Sequence, residues 1–285
     1  MIRRTIQEII AIHQLEPKLR DVYVEGNNDC QLITWFFGEI RNVNIVILAI
    51  ALIEVPDELV ENHGLNTGSN RSRVIALAYE LHESGISASK VKCIVDLDFE
   101  PYMPLKRKVP LIEFTDYNSM ESYLFNSRTI DKFLHLVIKG FPLNGDSVLA
   151  RLSTVALRLF AIRLTNEMLQ WCMKWVQPRK YISYDEDTFE FDEEGFLVSY
   201  LNTNVRAKEL HAFVEKLNEV TARLRDSILF SARGHDLTYL FFLLVKSIKK
   251  GCKFTDPEIF ERAFLGCVEF NDLNDKILFQ TLCEL

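Results

Sequence analysis

The chain has 285 residues and a formal net charge of −7, with 48% hydrophobic and 26% charged residues. This composition is typical of a soluble globular protein with one large domain or two ordinary ones. The net charge excludes a nucleic-acid binder that relies on a basic tail. The longest apolar run, Ile45 to Ile53, is too short for a membrane-spanning helix, which needs about 20 residues, so we expect no membrane partner.

The N-terminal segment and the cysteines bear on the cellular compartment. Residues 1–18 predict an amphipathic helix without the small-residue cleavage site of a secretory signal. Six cysteines are scattered along the chain, with no CxxC motif and no paired histidine spacing, which indicates reduced core thiols. We therefore expect a cytoplasmic protein.

The first part of the chain alternates strands with helices. Runs rich in β-branched residues predict buried strands at 21–25, from Val43 onward, at 91–100 and at 109–116. Helical spacing follows the first strand, and a Gly/Asn/Ser-rich loop leads into a helix that Gly85 ends. Continuous apolar strands that alternate with helices predict an α/β fold with a parallel sheet flanked by helices.

The second part of the chain is mainly α-helical in its pattern. Apolar residues recur at helical spacing near 147–177, 206–228 and 236–250, and Asp256–Pro257 starts a last helix. On the third of these segments we interpret four residues as core or subunit contacts: Phe241, Phe242, Leu244 and Val245. We expect an α/β domain at 1–125 and a helical accessory domain at 126–285.

An acidic run at residues 185–194 accounts for the negative charge. It contains seven of the forty acidic residues, so acids and bases balance in the rest of the chain. The run lies between YISY and FLVSY and predicts a solvated hairpin. The overall charge therefore leaves room for a nuclease with a local basic face.

Carboxylates occur where the predicted strands of the first part end. Glu25 ends the first strand, and Asp96 and Asp98 end the third with a spacing that would turn both side chains to one side. Asp29 lies one helical turn after Glu25, and Glu121 follows the last strand. The carboxyl ends of parallel strands meet at one edge of the sheet, where such acids repel one another unless a cation lies among them. Ligands that are all oxygen favour Mg²⁺ or Mn²⁺.

Each of these acids has an ordinary interpretation when it is taken alone. An acid after a strand is usually a helix cap or a turn residue, and Asp29 fits that description. A DxD pair is also common in loops. The combination is less ordinary: a strand that ends in EGxxD, with Gly26 leaving space at the exit, and a strand that ends in DxD about seventy residues later.

These motifs give the sequence a family resemblance. VYVEGNNDCQLI and CIVDLDFE resemble the two signature motifs of the Toprim (topoisomerase–primase) domain, and GLNTGSNRSRVIALAYEL is similar to the loop and helix before its third strand. SMESYLF resembles a segment of the nuclease branch found in OLD-type proteins. SARGHDLTYLF, at 231–241, is similar to the Gly–His–Asp segment of stand-alone Toprim nucleases, the toxic effectors of PARIS-type antiphage defence. The resemblance covers residues 20–125 and 231–241.

The resemblance implies a Rossmann-like Toprim fold and an endonuclease that cleaves RNA such as tRNA, or DNA. It implies two Mg²⁺ or Mn²⁺ ions, with Glu25, Asp96 and Asp98 as metal ligands and Glu25 also as general base. Asp29 and Glu121 would complete the second metal site. The sequence has no GxxxxGK[ST] motif, so a controlling ATPase would be a partner protein that acts in trans. The resemblance leaves a homodimer open.

Phosphodiester hydrolysis also needs a cationic group near the phosphate. His235 is one candidate, although a lone histidine is more often structural and the neighbouring Asp236 has the position of a helix cap. Arg71 and Arg73 are the others; they follow residues 68–70, which could face a phosphate or form a solvated turn. A basic patch beyond DxD could follow a nucleic-acid backbone or simply be solvated: Lys106, Arg107 and Lys108.

Three functions stay open at this point. The favoured one is a metal-dependent nuclease that acts as a toxic effector. The second is a Toprim scaffold that binds a partner ATPase with little catalysis of its own, against which the full acidic set argues because clustered charge is costly to keep. The third is another phosphotransfer enzyme, such as a primase-like polymerase.

Overall fold

The computed structural model describes residues 3–40, 45–184 and 188–285. The chain divides into two compact units. The first unit comprises residues 1–120 together with 269–285, and the second comprises residues 121–268. The sequence pattern places the division between residues 125 and 126 instead, and it contains no sign that the C-terminal segment belongs with the first part.

The secondary structure is given in chain order for the described ranges. The strands are β1 (Arg4–Thr5), β2 (Arg20–Val24), β3 (Ile45–Ala49), β4 (Ile53–Glu54), β5 (Val91–Val95), β6 (Ile112–Phe114), β7 (Ile182–Tyr184) and β8 (Phe189–Phe191). The α-helices are α1 (Ile6–Leu15), α2 (Asn27–Glu39), α3 (Asp57–Asn62), α4 (Asn70–Glu83), α5 (Ser127–Phe133), α6 (Gly145–Leu169), α7 (Glu193–Thr203), α8 (Leu210–Arg223), α9 (Gly234–Ile248), α10 (Pro257–Leu265), α11 (Phe270–Leu273) and α12 (Ile277–Cys283).

The first unit is built on a parallel sheet flanked by helices. Its four strands have the order β3-β2-β5-β6, and every neighbouring pair is parallel. The register places Tyr23 opposite Cys93 and Val95 opposite Phe114. This confirms the predicted α/β class. It also puts the carboxyl ends of β2 and β5 side by side, because parallel neighbours run in the same direction.

Burial and capping explain why these segments form. Residues 22–24 of β2 have no exposed surface, as a continuous apolar strand in a covered parallel sheet requires. Helix α4 starts at its cap Ser69, whose Oγ accepts the N–H of Ser72 at 3.3 Å. Because Ser69 is the cap and Asn70 the first helical residue, the predicted loop at residues 68–70 leads directly into this helix. Beyond the C-terminus of α4, Gly85 has a φ of +78°, which glycine adopts without steric cost.

The C-terminal segment completes the first unit. Phe36 of α2 stacks on Phe270 with ring centroids 5.1 Å apart, and it contacts Phe279 at 4.7 Å. The carboxylate of Asp116 accepts the N–H groups of Ile277 and Leu278 at the start of α12, at 2.9 and 3.1 Å. These contacts join residues that are far apart in the sequence, which is why local patterns do not reveal them.

The second unit is mainly helical, as the pattern predicts. The 25-residue helix α6 packs against α5, α8 and α9, and α9 packs against α10. Phe133 contacts a group of aromatic rings at centroid distances of 4.9 to 5.7 Å: Phe241, Phe260 and Phe264. The four residues interpreted as core on α9 are buried, which confirms their assignment to a packed interior.

Several predicted boundaries differ from the structure. The predicted start of the second strand at Val43 lies outside the described residues. Strand β5 ends at Val95, so the acids that follow it are not strand residues. Helix α6 ends at Leu169 rather than extending to 177, because Gln170 adopts a left-handed φ of +54° and the side chain of Asn166 accepts the N–H of Met173 at 3.1 Å.

The predicted acidic hairpin lies in the second unit and is only partly described. Strands β7 and β8 pair in antiparallel fashion, with Tyr184 opposite Phe189. Residues 185–187 of the acidic run lie outside the described residues. The end of the run enters α7, so FLVSY is helical. Asp192 caps this helix by accepting the N–H of Gly195 at 3.0 Å.

Two further predictions concern the surface. No helix in the described ranges combines the length and the apolar character needed to cross a membrane. All six cysteines are free thiols, and Cys93 and Cys267 are buried. Cys172 and Cys283 are exposed, so the prediction of core thiols is wrong for these two.

Gly145→Ala is expected to lower the free energy of unfolding by about 1–3 kcal/mol, as other overpacked sites do. The added Cβ would collide with the backbone of Ser127, where α5 meets α6. Gly38→Ala in α2 is the matched control, because nothing lies within 4 Å of its Cβ. There alanine should stabilise by about 0.5–1 kcal/mol through its helix propensity. Urea denaturation followed by circular dichroism measures both; effects of the same sign would contradict the close approach at Gly145.

Candidate functional site

Two neighbouring strand ends of the first unit bring predicted acids together. Glu25 directly follows β2, and Asp96 directly follows β5. The N–H of Asp96 donates a hydrogen bond of 2.9 Å to Oε1 of Glu25. We call Glu25, Asp96 and Asp98 the acidic site. Its position at the carboxyl ends of adjacent parallel strands is the place where open α/β sheets bind ligands.

Glu25 is held in an environment that disfavours its charge. Burial raises the pKa of Glu25 to about 8, and the nearby carboxylates of Asp98 and Asp29 act in the same direction. The hydrogen bond from the Asp96 N–H and the positive charge of Arg71 oppose this rise only in part. The Glu25 carboxyl is therefore mostly protonated at neutral pH unless a further cation approaches it.

The chain after β5 leaves the strand conformation before its second acid. Asp98 has a φ of +44°, which non-glycine residues seldom adopt, although aspartate tolerates it better than most. Asn118 holds the backbone of Asp98 in place. The backbone oxygen of Asn118 accepts the Asp98 N–H at 2.9 Å, and Nδ2 of Asn118 donates to the backbone oxygen of Asp98 at 2.9 Å. Strand alternation therefore does not set the direction of Asp96 and Asp98, contrary to our prediction. Strained backbone of this kind is frequent at functional sites.

The carboxylate of Asp96 is also positioned by the backbone. Its Oδ1 accepts the N–H of Met120 at 3.0 Å. The hydroxyl group of Thr115 accepts the N–H of Leu97 at 3.0 Å and donates to the backbone oxygen of Tyr117 at 2.7 Å. The segment that follows β6 thus orders the segment that follows β5, which fixes the backbone that carries both aspartates.

Asp29 has the ordinary role that its position allows. It is the third residue of α2, and its Oδ2 accepts the N–H of Gly26 at 2.9 Å. This contact satisfies a backbone group at the helix start. Gly26 has an extended backbone, with a φ of −128°, and the atom nearest to an added Cβ would be Oδ2 of Asp29, at the close distance of 3.3 Å. That Gly26 leaves space for a ligand at the exit of the strand stays a prediction. That Asp29 and Glu121 share a second metal ion stays a prediction.

Arg71 is the cation of the acidic site. It lies in the first turn of α4, and its Nε donates to the backbone oxygen of Asp96 at 3.3 Å. Its guanidinium is 3.8 Å from Oδ2 of Asp98 and 3.8 Å from Oε2 of Glu100. Of the predicted cationic candidates, Arg71 is therefore the one that the first unit places against the acids.

Glu100 is a fourth acid that the sequence reasoning missed. Its side chain is 7% exposed, and both its carboxylate oxygens accept the N–H of Leu105, at 3.1 and 2.9 Å. Its Oε1 is 3.4 Å from Nζ of Lys108. The only available signal is that DLDFE repeats an acid every second residue. Glu100 orders the loop after DxD, and its carboxylate is a second acidic neighbour of the Arg71 guanidinium.

The remaining predicted nucleic-acid contacts have separate surroundings. Arg73 donates to the backbone oxygen of Val55 and pairs with Asp57, so its guanidinium orders the chain before α3. Arg107 pairs with Glu83 at 2.7 Å and lies over the ring of Tyr79 at 4.7 Å. Lys106 is exposed, and the side chain of Lys108 is 67% exposed. The basic run thus does not present three equivalent charges.

The second unit contains its own group of ligand-type side chains. We call Glu121, His235 and Glu261 the histidine triad. The Nδ1 atom of His235 is 3.6 Å from Oε1 of Glu121 and 3.6 Å from Oε2 of Glu261. The side chains of Glu121 and Glu261 are 10% and 14% exposed, whereas that of His235 is 69% exposed. Pairing with Glu261, and then the charge of Glu121, raise the pKa of His235 to about 9, so its imidazole is positively charged at neutral pH.

A cavity of about 390 Å³ in the second unit is lined by His235 and Asp236, among others. Asp236 is paired with Arg163 through two hydrogen bonds of 2.8 and 3.0 Å, and the Arg163 guanidinium lies over the ring of Trp175 at 3.5 Å. Its carboxylate therefore fixes a wall of the cavity, and the prediction that Asp236 serves as a helix cap does not describe its contacts.

The acidic site fits a divalent cation by charge and by donor chemistry. A cation favours the ionised form of carboxylates that lie near one another, and it would oppose the burial that raises the pKa of Glu25. The donors are all oxygen atoms, which suits Mg²⁺ or Mn²⁺. The side chains that would hold the ion are those of Glu25, Asp96 and Asp98.

Comparisons with known proteins do not assign this chain. No protein-family model matches it, and no curated protein matches it either. The functional interpretation therefore depends on the residues and their geometry.

Glu25→Gln is expected to change how the stability of the metal-free chain depends on pH. Between the ordinary pKa of 4.5 and the folded pKa of about 8, the unfolded chain loses the Glu25 proton while the folded chain keeps it. The free energy of unfolding of the wild type should therefore fall as pH rises, by on the order of 1.4 kcal/mol per unit, and level off above pH 8. Glu25→Gln should remove this fall.

Urea denaturation in the presence of a chelator at several pH values measures the effect. Glu39→Gln, at an exposed position of α2, is the control and should keep the wild-type profile. A Glu25→Gln profile that parallels the wild type would contradict the raised pKa.

Proposed function

We propose that the chain is a metal-dependent nuclease with a Toprim-type catalytic domain, and that the acidic site is its catalytic centre. The observation that carries the proposal is the hydrogen bond of 2.9 Å from the Asp96 N–H to Glu25. It joins the Glu–Gly motif after β2 to the Asp-x-Asp motif after β5 at one edge of a parallel sheet. Several acids at such an edge, with oxygen as their only donor atom, favour phosphodiester chemistry over a purely structural role.

The chain's own residues have distinct roles in this proposal. A bound Mg²⁺ or Mn²⁺ supplies Lewis-acid stabilisation of the negative charge on a phosphodiester. A cation bound beside Glu25 would favour its ionised form, and the ionised carboxylate could then accept a proton as a general base. A backbone N–H holds the carboxylate of Asp96, and Asn118 holds the backbone of Asp98, so both residues are positioned before a ligand binds.

Arg71 is the group that best meets the need for a positive charge beside the phosphate. Its side chain is 20% exposed, and its guanidinium is 3.8 Å from both Asp98 and Glu100. Arginine stays protonated in proteins and can bind phosphate oxygens through two donors. A catalytic role for His235 stays a prediction.

The biological setting follows from the motif resemblance. We place the nuclease in the cytoplasm as a toxic effector of antiphage defence that cleaves RNA such as tRNA, or DNA. Its control would come from a partner ATPase in trans, since the sequence has no GxxxxGK[ST] motif of its own.

Glu25→Ala is expected to lower the Mg²⁺- or Mn²⁺-dependent cleavage rate by more than about a hundredfold, as removal of a group that acts on transition-state charge does. The assay uses purified chain with labelled tRNA, other RNA and DNA, with and without a candidate partner ATPase chosen from neighbouring genes. Glu39→Ala is the matched control at an exposed position and should cleave like the wild type. Cleavage that survives both Glu25→Ala and Asp96→Ala would overturn the proposal, and a wild type that binds the ATPase but never cleaves would favour the scaffold.

Arg71→Met is expected to lower kcat by about a hundredfold to a thousandfold while the chain still binds Mn²⁺. The variant loses the cation at the phosphate but keeps all the carboxylates. Arg107→Met is the control, because Arg107 is 42% exposed and pairs with Glu83, and it should affect KM and its salt dependence at most. Single-turnover kinetics and Mn²⁺ titration separate the two effects. Loss of Mn²⁺ binding in Arg71→Met would contradict the assigned role.

A further inference from the structure

The histidine triad has the spacing of a metal site rather than that of a closed ion pair. The three ligand atoms of Glu121, His235 and Glu261 all lie within 4.8 Å of one another. Metal–nitrogen and metal–oxygen bonds of about 2.0–2.2 Å separate two ligands of a tetrahedral ion by about 3.4 Å. The two distances from Nδ1 of His235 are both 3.6 Å, which is close to that value.

The same distances are long for direct hydrogen bonds. A charge-assisted bond between nitrogen and a carboxylate oxygen usually closes to about 2.7–2.9 Å. Both contacts of His235 are 3.6 Å long, although its side chain is 69% exposed. Nδ1 lies at equal distances from two carboxylates, as an atom that shares a central ion with them would.

The elements that carry the triad are well packed. His235 lies in the first turn of α9 and Glu261 in α10, and these two helices are held together by the rings of Phe241 and Phe260 at 5.2 Å. Glu121 is the second residue of the 3-10 turn Met120–Leu124 and the first residue of the second unit. Two mostly buried carboxylates are thus held near each other and near the His235 imidazole.

The triad also has an accessible side. His235 lines the cavity of about 390 Å³, together with Tyr239 and the Asp236–Arg163 pair. Three protein ligands next to a cavity leave coordination positions for water or a small ligand, as in metal sites that stay open. An ion could therefore reach the triad without unfolding of the unit.

We propose that Glu121, His235 and Glu261 form a binding site for a divalent transition-metal ion, with Zn²⁺ bound more tightly than Mn²⁺ and Mg²⁺ bound weakly. One imidazole nitrogen and two carboxylate oxygens form a mixed donor set, which favours transition metals over Mg²⁺. Two carboxylates and a neutral imidazole also balance the charge of a divalent ion. The order of affinities follows the general series for first-row metals.

This site shares no residue with the acidic site and does not depend on the proposed nuclease activity. It replaces the predicted assignment of Glu121 to a second metal ion with Asp29. Its three residues come from three separate segments of the sequence. Glu261 was not among the residues that the motifs predict. The competing interpretation is a cluster of ion pairs in which the protonated imidazole of His235 lies beside the two carboxylates and no metal ion binds.

Zn²⁺ binding to the full chain decides between the two. Equilibrium dialysis at neutral pH in Glu25→Gln, which disables the acidic site, should still give one tightly bound Zn²⁺ per chain. In the Glu25→Gln chain, a second substitution, Glu261→Gln or His235→Gln, should weaken Zn²⁺ binding by at least about a hundredfold. Loss of a residue that only supports a metal ligand already costs about 10–100-fold, and loss of the ligand itself should cost more. Two matched controls should leave it unchanged: Glu258→Gln, exposed in the same helix α10, and His211→Gln, exposed in α8.

Co²⁺ provides a second readout that needs no variant. Bound at this site, it should give visible absorption bands of a low-coordinate complex with nitrogen ligation, which Zn²⁺ displaces and excess Mg²⁺ does not. Circular dichroism confirms that each variant is folded. Equal Zn²⁺ affinity in Glu261→Gln, His235→Gln and the two controls would overturn the proposal, as would a Glu25→Gln chain that binds no Zn²⁺ and shows no Co²⁺ bands.

Discussion

The hydrogen bond from the Asp96 N–H to the Glu25 carboxylate is the contact on which the first unit's chemistry depends. It exists because β2 and β5 are adjacent and parallel, so their last residues leave the sheet at the same edge. The buried segment before Glu25 carries the carboxylate into a place that water only partly reaches. A single backbone donor offsets only part of that desolvation, and the pKa of Glu25 remains raised to about 8. The groups around Glu25 determine whether its carboxyl group is ionised.

The neighbours of Glu25 supply positive charge and a fixed backbone. Arg71 lies 3.8 Å from both Asp98 and Glu100, while Asn118 holds Asp98 at a φ of +44°. A relaxed strand would have continued straight past this edge. The left-handed turn at Asp98 is costly for a side chain with a Cβ, and the contacts on both sides must compensate for it. Strain at this residue is therefore an argument, independent of the motifs, that the position of its carboxylate matters.

The sequence predicts the parts of this arrangement that are local. Continuous apolar runs predict the strands, and the acids at their ends predict where a site forms, because sheet geometry brings parallel strand ends together. It misses what depends on contacts between distant segments. No local pattern predicts that Asp116 accepts an N–H at the start of α12. None predicts that Phe270 and Phe279 pack on Phe36. Glu100 and Glu261 look like ordinary helix or loop acids until folding places them beside a cation.

The two groups of acids are balanced by cations of different kinds, and this difference limits how each can respond to a metal ion. The acidic site of the first unit faces the guanidinium of Arg71. A guanidinium keeps its positive charge at any accessible pH, so it remains a cation when a metal ion binds beside it. A permanent cation is useful where a phosphate has to bind as well. The triad of the second unit faces an imidazole, which can give up its proton and become a ligand through Nδ1. Oxygen-only donors beside an arginine suit a hard ion and an anionic substrate, whereas carboxylates beside a histidine suit an ion that replaces the proton.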